Sequence, residues 1–424
     1  MIIRDPVHGD ITVNEELRQL LDTSALQRLR GIKQTGTAHF VYPGCVHTRF
    51  EHSLGTLHMA ARILDQLAAG GHAAAVAPHR RAVEAAALVH DISHVPYGHT
   101  FEDERALFGR HDRPERFQAA LSADSELGDV LDRLGLREPV LAILGGRPQA
   151  AGLPAWTAQI VSGAIDADLL DYLRRDAYFS GIRQTYDERV VSYFALADGE
   201  LVMALARHGL DRPDARSEIM HLLRLRYFLT ERLYLHHTKI AAGAMVSRAV
   251  ELACERGLRE GDLGRLTDET LLLALEGYDV DGDIGWLIGS LRRRCLVKRA
   301  YAVRAAADLP EELMRCADPA VRRRHERALA ATLGLPEHQV MIYCPRRSSF
   351  KEAAVPVLTS VGRTLLDAPS SPAAGEVAAL KRQYEDLWTF YVFVPQERRL
   401  EALRVCEEHF GRTSDYRPPG GDEP

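Results

Sequence analysis

ALVHDISHVPYGHTFE, residues 87 to 102, extends an apolar run, Ala85 to Val89, that ends on the adjacent pair His90-Asp91. A run of that kind reads as a buried helix, and two polar groups at its end need partners, because burying them unpaired is costly. A metal ion is one such partner. Working outward, HTRFEHSLG (47 to 55) contributes His52 and AIDADLLDYLRRD (164 to 176) contributes Asp168. His52, His90, Asp91 and Asp168 make a four-ligand set for a divalent metal. All three segments read as helical, which places the ligands on scaffold helices rather than loops. Imidazole nitrogen suits Fe, Ni and Zn, while carboxylate and water suit Mg and Mn, so the mixed set does not name the metal. With no thiolate in it, a purely structural zinc site is disfavoured. A lone helical His is usually packing or surface. Here His94 and His99 follow within nine residues, with Glu102 and His111 beyond, a density of imidazoles that folding alone does not require.

IIRDPVHGDI (2 to 11), DTSALQRLRGIKQ (22 to 34), VYPGCVHTRFEHSLG (41 to 55) and LYLHHTK (233 to 239) widen the pattern to somewhat more than half of the 424 residues. Together they resemble the HD-domain phosphohydrolases, most closely the deoxynucleoside triphosphate triphosphohydrolases that include the vertebrate SAM-and-HD-domain protein, with no room for a SAM domain ahead of the match. The resemblance implies a mainly α fold, an HD-domain helical core, and a divalent ion for which Mg, Mn or Fe come before Zn and Ni.

Composition agrees with an enzyme of this size. The chain exceeds the length at which one core usually suffices, so a large unit and a smaller one are expected. A net charge of -6 with 26% charged residues does not announce a nucleic-acid binder. No apolar run reaches the length of a membrane span, and MIIRDPVHGD is neither signal-like nor basic and amphipathic. Cys45, Cys254, Cys295, Cys316, Cys344 and Cys406 lack paired spacing and read as reduced thiols of a cytoplasmic protein.

Leu17, Leu20 and Leu21, then Leu26, Leu29 and Ile32, mark two short helices parted near Asp22-Thr23, with Thr23 or Ser24 as a cap. AHFVYPGCV (38 to 46) is a turn or short extended piece, broken by Pro43 and Gly44. ALADGELVMAL around Asp198-Gly199 reads as a hairpin. Pro213 to Gly257 is one long helix or two in series. Beyond it, QVMIYC (339 to 344) and LWTFYVFV (387 to 394) read as strands, and Gln396 to Phe410 as a helix closed by Gly411. The expected organisation is an HD core with a helical extension over 1 to 335, a small α/β region over 336 to 412, and a disordered tail over 413 to 424.

The resemblance assigns further roles. His99 is the candidate general acid, oriented by Glu102 and His111, with His94 beside them; Glu102 stands where relatives carry Asp. Tyr172 and Asp176 occupy positions that contact the sugar 3'-hydroxyl, and Gln34, Thr35, Arg49, Arg226 and Tyr234 match the sugar and phosphate pocket. Asp168, Tyr172 and Asp176 recur every four residues and so share one helical face. There are two departures. Leu169 replaces a Lys that contacts phosphate, removing a positive charge. Thr35 replaces a Leu that helps to exclude a 2'-hydroxyl.

Asp22, Gln27 and Arg30, with Arg294 and Lys298 of RCLVKR (294 to 299), match residues that hold a nucleotide activator in oligomeric relatives, which implies a homodimer or tetramer. The alternative reading is that Asp22 only flanks a cap, Gln27 and Arg30 face solvent, and Arg294 and Lys298 belong to a solvated helix face. His236 and His237 follow Tyr234, and helical phase sets His237 nearer the face of Arg226. The expected activity is hydrolysis of a deoxynucleoside triphosphate to deoxynucleoside and tripolyphosphate. The alternatives are a phosphohydrolase of nucleoside monophosphates or other phosphomonoesters, and a non-enzymatic sensor of nucleotide or nucleic acid using Arg292 to Arg299 and Arg322 to Arg324.

Overall fold

Three helices that carry or deliver the candidate ligands form the centre of the computed structural model, which describes residues 1–306, 309–346 and 353–418. Of the disordered tail expected over 413 to 424, residues from 419 onward lie outside the described residues, whereas 413–418 correct the expectation: Ser414 is buried, accepting at Oγ from Ala302 N–H at 3.0 Å and donating its N–H to Glu407 at 2.9 Å. The helix Arg49–Leu67 starts at a capping box, in which Thr48 Oγ1 accepts from Glu51 N–H while the Glu51 carboxylate accepts from Thr48 N–H. The helix Ala167–Ser180 starts at Asp166, whose side chain accepts from Leu169 N–H at 2.7 Å, and ends at Gly181 with φ +73°. These two helices pack tightly. A Cβ on Gly55 would lie 1.8 Å from Asp171 Oδ1. The third helix, Arg80–Val89, buries Ala82 through Val89 and packs against Arg49–Leu67.

The expectation that every ligand sits on a helix is corrected here. His90 ends its helix, and Asp91 opens a series of turns running to His99. Ile92 N–H bonds Val89 O at 3.0 Å and His94 N–H bonds Asp91 O at 3.1 Å, both tighter than α-helical spacing. Pro96 then bars helix from the residue before it. Tyr97 and Gly98 follow with φ +59° and +52°.

The Pro213–Gly257 stretch is two helices in series, Pro213–Leu229 and His237–Glu255, joined by a wider turn over Thr230–Tyr234. His236 is extended, with ψ 122°, so helical phase does not carry from Arg226 to His237 as expected. Thr23 precedes its helix but does not cap it through its side chain, since its hydroxyl donates to Leu20 O at 2.7 Å.

The hairpin Phe194–Ala197 and Glu200–Ala204 turns at Asp198 and Gly199, both with positive φ. Its second strand pairs in parallel with Pro356–Thr359, which in turn pairs with Gly362–Leu365. Val355, Val357, Val377 and Leu380 thereby join the large N-terminal core. A second sheet has Thr389–Val394 at its centre, flanked by Met341–Tyr343 and Lys298–Arg304. Lys298 is thus on a strand and not on a helix face. The helices Pro319–Leu333 and Arg399–Phe410 cover that sheet over Tyr301, Phe390 and Val392. No helix among the described residues is long and apolar enough to cross a membrane. All six cysteines are free.

Candidate functional site

His52 Nε2 faces His90 Nε2 at 3.1 Å and Asp168 Oδ1 at 2.9 Å. Asp91 completes the cluster, its Oδ1 3.5 Å from His90 Nε2 and its Oδ2 3.8 Å from His52 Nε2. The other ring nitrogens assign the protons. His52 Nδ1 lies 2.7 Å from Asp171 Oδ2, and His90 Nδ1 lies 2.9 Å from Ala87 O. Both partners only accept, so each Nδ1 carries a hydrogen, and in the neutral ring each Nε2 turns a lone pair inward. Two imidazole lone pairs and carboxylate oxygens converging on one point repel one another unless a cation lies between them. His52, His90 and Asp168 each offer an atom within 4.8 Å of the others, which fits a divalent ion.

Electrostatics favour the same reading. Burial opposes charge on His52, but the hydrogen bonds and charges of Asp168 and Asp171 push its pKa up to about 10. His90 is also raised, burial again opposing and the Asp91 charge favouring protonation. Burial resists ionisation of Asp168, yet His52 and His90 hold it below the usual carboxylate range. Asp91 is held well below that range against burial, chiefly by Arg49. Without a cation, these carboxylates recruit protons instead.

Four residues that were not singled out from the sequence support His52. Asp171 accepts from Arg175 Nε and Nη2, both at 2.8 Å, and sits 2.7 Å from His8 Nε2; Arg175 Nη1 donates to Asp5 Oδ2 at 2.8 Å. All lie within the motifs DPVHGD and DADLLDYLRRD, and Asp171 and Arg175 follow Asp168 by three and seven residues, a helical spacing that could have revealed them.

The remaining histidines gather beside Asp91. His94 stacks on His111 with ring centroids 3.6 Å apart, and His99 meets both edge-on at 5.1 and 5.0 Å. Burial, with Arg49 and His111 nearby, holds His94 well below its ordinary pKa. Burial likewise lowers His111, outweighing Glu102, whose carboxylate accepts from His111 Nδ1 at 2.8 Å. Glu102 is 3.8 Å from His99 Nδ1, so its hydrogen bond orients His111 and reaches His99 only through charge. His99 is exposed, unlike His94.

A pocket wall continues along the Asp168 face. Asp176 accepts from Tyr234 Oη at 2.6 Å and lies 2.7 Å from His47 Nε2, whose ring stacks on Phe179. Arg226 donates to Tyr172 Oη. Gln34 Oε1 and Thr35 Oγ1 are buried with no hydrogen-bond partner among the described residues. Arg49 Nη1 donates to Asp91 Oδ2 at 2.6 Å, while its buried Nε and Nη2 have no partner among the described residues. Leu169 points into the large core.

The residues matched to an activator divide. Gln27 Oε1 accepts from Arg30 Nε at 2.8 Å, Arg30 stacks on Phe50, and Asp22 pairs with Arg18. Arg294 donates to Phe40 O at 2.8 and 3.1 Å, and Lys298 lies on the sheet beyond. No hydrogen bond or ion pair joins the two sets among the described residues. His236 caps the helix His237–Glu255 through Nδ1 and stacks on His237, whose pKa burial and Arg299 lower to about 4.

Comparison with known proteins gives this geometry a lineage. The HD domain family matches residues 49–176, and the HD associated region matches residues 187–416. An uncharacterized protein of Methanocaldococcus jannaschii is 31% identical over 280 residues, 64% of this chain and 54% of that protein. The deoxynucleoside triphosphate triphosphohydrolase SAMHD1 homolog of Dictyostelium discoideum is 29% identical over 58% of this chain and 48% of that one. SAMHD1 of Bos taurus is 28% identical over 62% and 49% respectively. The chain spans about half the length of the curated relatives it matches. Two solved structures share the fold at 22% identity: a hypothetical protein from Aquifex aeolicus, TM-score 0.71 over 95% of this chain and 98% of that one, and a phosphohydrolase from Bacteroides thetaiotaomicron, TM-score 0.70 over 93% and 100%. With the associated region alone matching more than half of its residues, the chain belongs to the HD-domain family and carries the HD-associated region behind its HD domain.

Proposed function

We propose that this protein hydrolyses deoxynucleoside triphosphates to deoxynucleoside and tripolyphosphate. The observation that carries the reading is Arg49, a buried guanidinium anchored by one nitrogen to Asp91, with two nitrogens that have no partner among the described residues, beside the converging His52 and His90. A buried cation with spare donors next to a candidate metal cluster suits a phosphate oxygen. A divalent ion held by His52, His90, Asp91 and Asp168 supplies Lewis acidity toward a phosphoryl oxygen and lowers the pKa of water.

The protein's own groups do the rest. Arg49 and Arg226 bind phosphate oxygens. Gln34, Tyr172, Asp176 and Tyr234 hold the sugar, with the buried Thr35 hydroxyl alongside. The oxygen of water bonds to the α-phosphorus, the bond from that phosphorus to the 5'-oxygen breaks, and His99 gives the leaving oxygen its proton. His94 and His111, kept neutral by burial, are hydrogen-bonding groups beside His99 and not proton acceptors, and the proton that the attacking water loses passes to solvent. Asp22, Gln27, Arg30, Arg294 and Lys298 take a nucleotide activator between copies of the chain.

The missing positive charge at Leu169 favours a second reading, hydrolysis of nucleoside monophosphates or other phosphomonoesters. Chromatography of products from a nucleotide panel, in Mg, Mn, Fe, Ni or Zn, separates the two. Tripolyphosphate with deoxynucleoside supports the first and orthophosphate from monophosphates the second. No turnover with any pairing would sink both and leave a nucleotide-binding protein. Repeating the assay with a second nucleotide, alongside light scattering, tests activation; equal rates and unchanged mass would remove the activator.

A further inference from the structure

Leu266, Thr267 and Asp268, which open the helix Asp268–Glu276 in the HD-associated region, reach two loops of the pocket at once. Asp268 is wholly buried. Its Oδ2 accepts from the backbone N–H of Lys33 at 2.9 Å, and its Oδ1 accepts from the backbone N–H of Tyr97 at 2.8 Å. Lys33 immediately precedes Gln34 and Thr35, and Tyr97 lies two residues before His99. The carboxylate does not cap its own helix, because the Thr267 hydroxyl already does so. Both of its oxygens are directed at distant loops.

The neighbouring contacts tighten the same junction. A Cβ on Gly31 would come within 2.4 Å of the Thr267 methyl, so the two segments meet at a distance only glycine permits. Leu266 O accepts from Arg28 Nη1 at 3.0 Å, and Arg28 Nη2 donates to Ile92 O at 3.1 Å and His94 O at 2.8 Å. The turn from Ile92 to Gly98 is therefore gripped at three backbone groups by two side chains. It needs such support. Tyr97 holds a left-handed φ of +59°, which a non-glycine residue keeps only where its surroundings over-determine it.

We infer that Asp268, with Arg28 opposing it, is a positioning residue for the hydrolytic reaction, fixing the distance between the Gln34–Thr35 wall and His99. The inference rests on the roles given to those residues under the proposed function. A rigid carboxylate spanning two loops sets that distance because its oxygens are a fixed bond angle apart, and small misplacements of reacting groups are expensive in rate.

The test uses the full-length, metal-loaded protein. Asp268→Asn keeps the shape but sets an amide N–H₂ against one of the two backbone donors. Arg28→Lys keeps the charge but cannot span three carbonyls, and serves if the first variant folds poorly. Each should leave metal content at the wild-type level and lower kcat on a deoxynucleoside triphosphate by about tenfold to a hundredfold. Hydrogen exchange should quicken at the Tyr97 and Lys33 amides while the helix Arg49–Leu67 stays protected. Unchanged kcat, or unchanged exchange at those amides, overturns the inference. So does a loss of activity in both variants that merely follows the folded fraction. Should the wild type hydrolyse no nucleotide, the functional reading falls, and the exchange measurement alone still decides whether the clamp holds the turn.

Discussion

A proton on the inward nitrogen of His52 would close the cluster to a cation, so the tautomer set by Asp171 is a condition of the chemistry. Asp171→Asn puts an N–H₂ donor among His8, His52 and Arg175 and removes the charge that keeps hydrogen on His52 Nδ1. Metal affinity should fall by about 10- to 100-fold, the usual cost of losing such a support, measured as metal retained against a competing chelator. Full retention would show that His52 is oriented by other means. His99→Ala separates chemistry from binding. Turnover should drop by about a hundredfold or more with metal content and KM near wild type. A raised KM at unchanged kcat would instead make His99 a binding group. At this scale the His-Asp cluster was legible because HD and its neighbouring histidines are local in sequence. Glu102 was legible in identity but not in partner: its carboxylate bonds His111 and not His99, a choice made by the turns after Pro96.

Gly55 marks a tight approach between the helices Arg49–Leu67 and Ala167–Ser180. Glycine inside a helix costs about 0.5–1 kcal/mol relative to alanine, yet here alanine would drive its methyl into the Asp171 carboxylate and the Arg175 guanidinium. Gly55→Ala should lower stability by about 1–3 kcal/mol, the usual scale of overpacking, and reduce bound metal, since the residue struck is the one that orients His52. Denaturant midpoints and metal analysis check both halves; a stabilised variant with full metal would mean that the helices separate freely. The helices themselves were legible through their apolar spacing, as were the Asp198-Gly199 hairpin and the strand ending at Val394. The strand Lys298–Arg304 was not. Its basic ends resemble a solvated or phosphate-binding segment, and it becomes a strand only because Thr389–Val394, far along the chain, pairs with it. The end of the helix at His90 was hidden too, because the apolar run shows where burial stops and not where helical hydrogen bonds do.

Across the whole molecule, the segment that follows His99 and the C-terminal sheet meet at an internal ion cluster that no local pattern announces. Arg105, just beyond Glu102 and Glu104, donates to Glu251 at 2.9 Å and to Glu326 at 2.9 Å; Glu326 also accepts from Arg248 and from Ile342 N–H at 2.8 Å. Arg322 closes the set through Arg105 O at 2.8 Å. The two helices, the loop and the strand that supply these groups lie up to 237 residues apart in sequence, which is why Arg322, beside the exposed Arg324, looked like part of a basic surface. Burial resists the charge on Glu326, but Arg105 and Arg248 outweigh it and bring its pKa from 4.5 down to about 2. A carboxylate depressed in the folded state contributes stability that is full above its unfolded pKa and is lost as pH falls through the folded one. The window therefore runs from about pH 4.5 down to about pH 2. Glu326→Gln leaves the buried Arg105 and Arg248 with the Glu251 carboxylate as the counter-charge they still share and should lower stability at neutral pH by about 3–5 kcal/mol. Because the substituted side chain no longer titrates, the acid loss across that window should also flatten. Urea midpoints of both proteins between pH 7 and pH 2 give both quantities. An unchanged acid slope would assign the acid sensitivity to the carboxylates around His52 and leave the ion cluster a structural contact only.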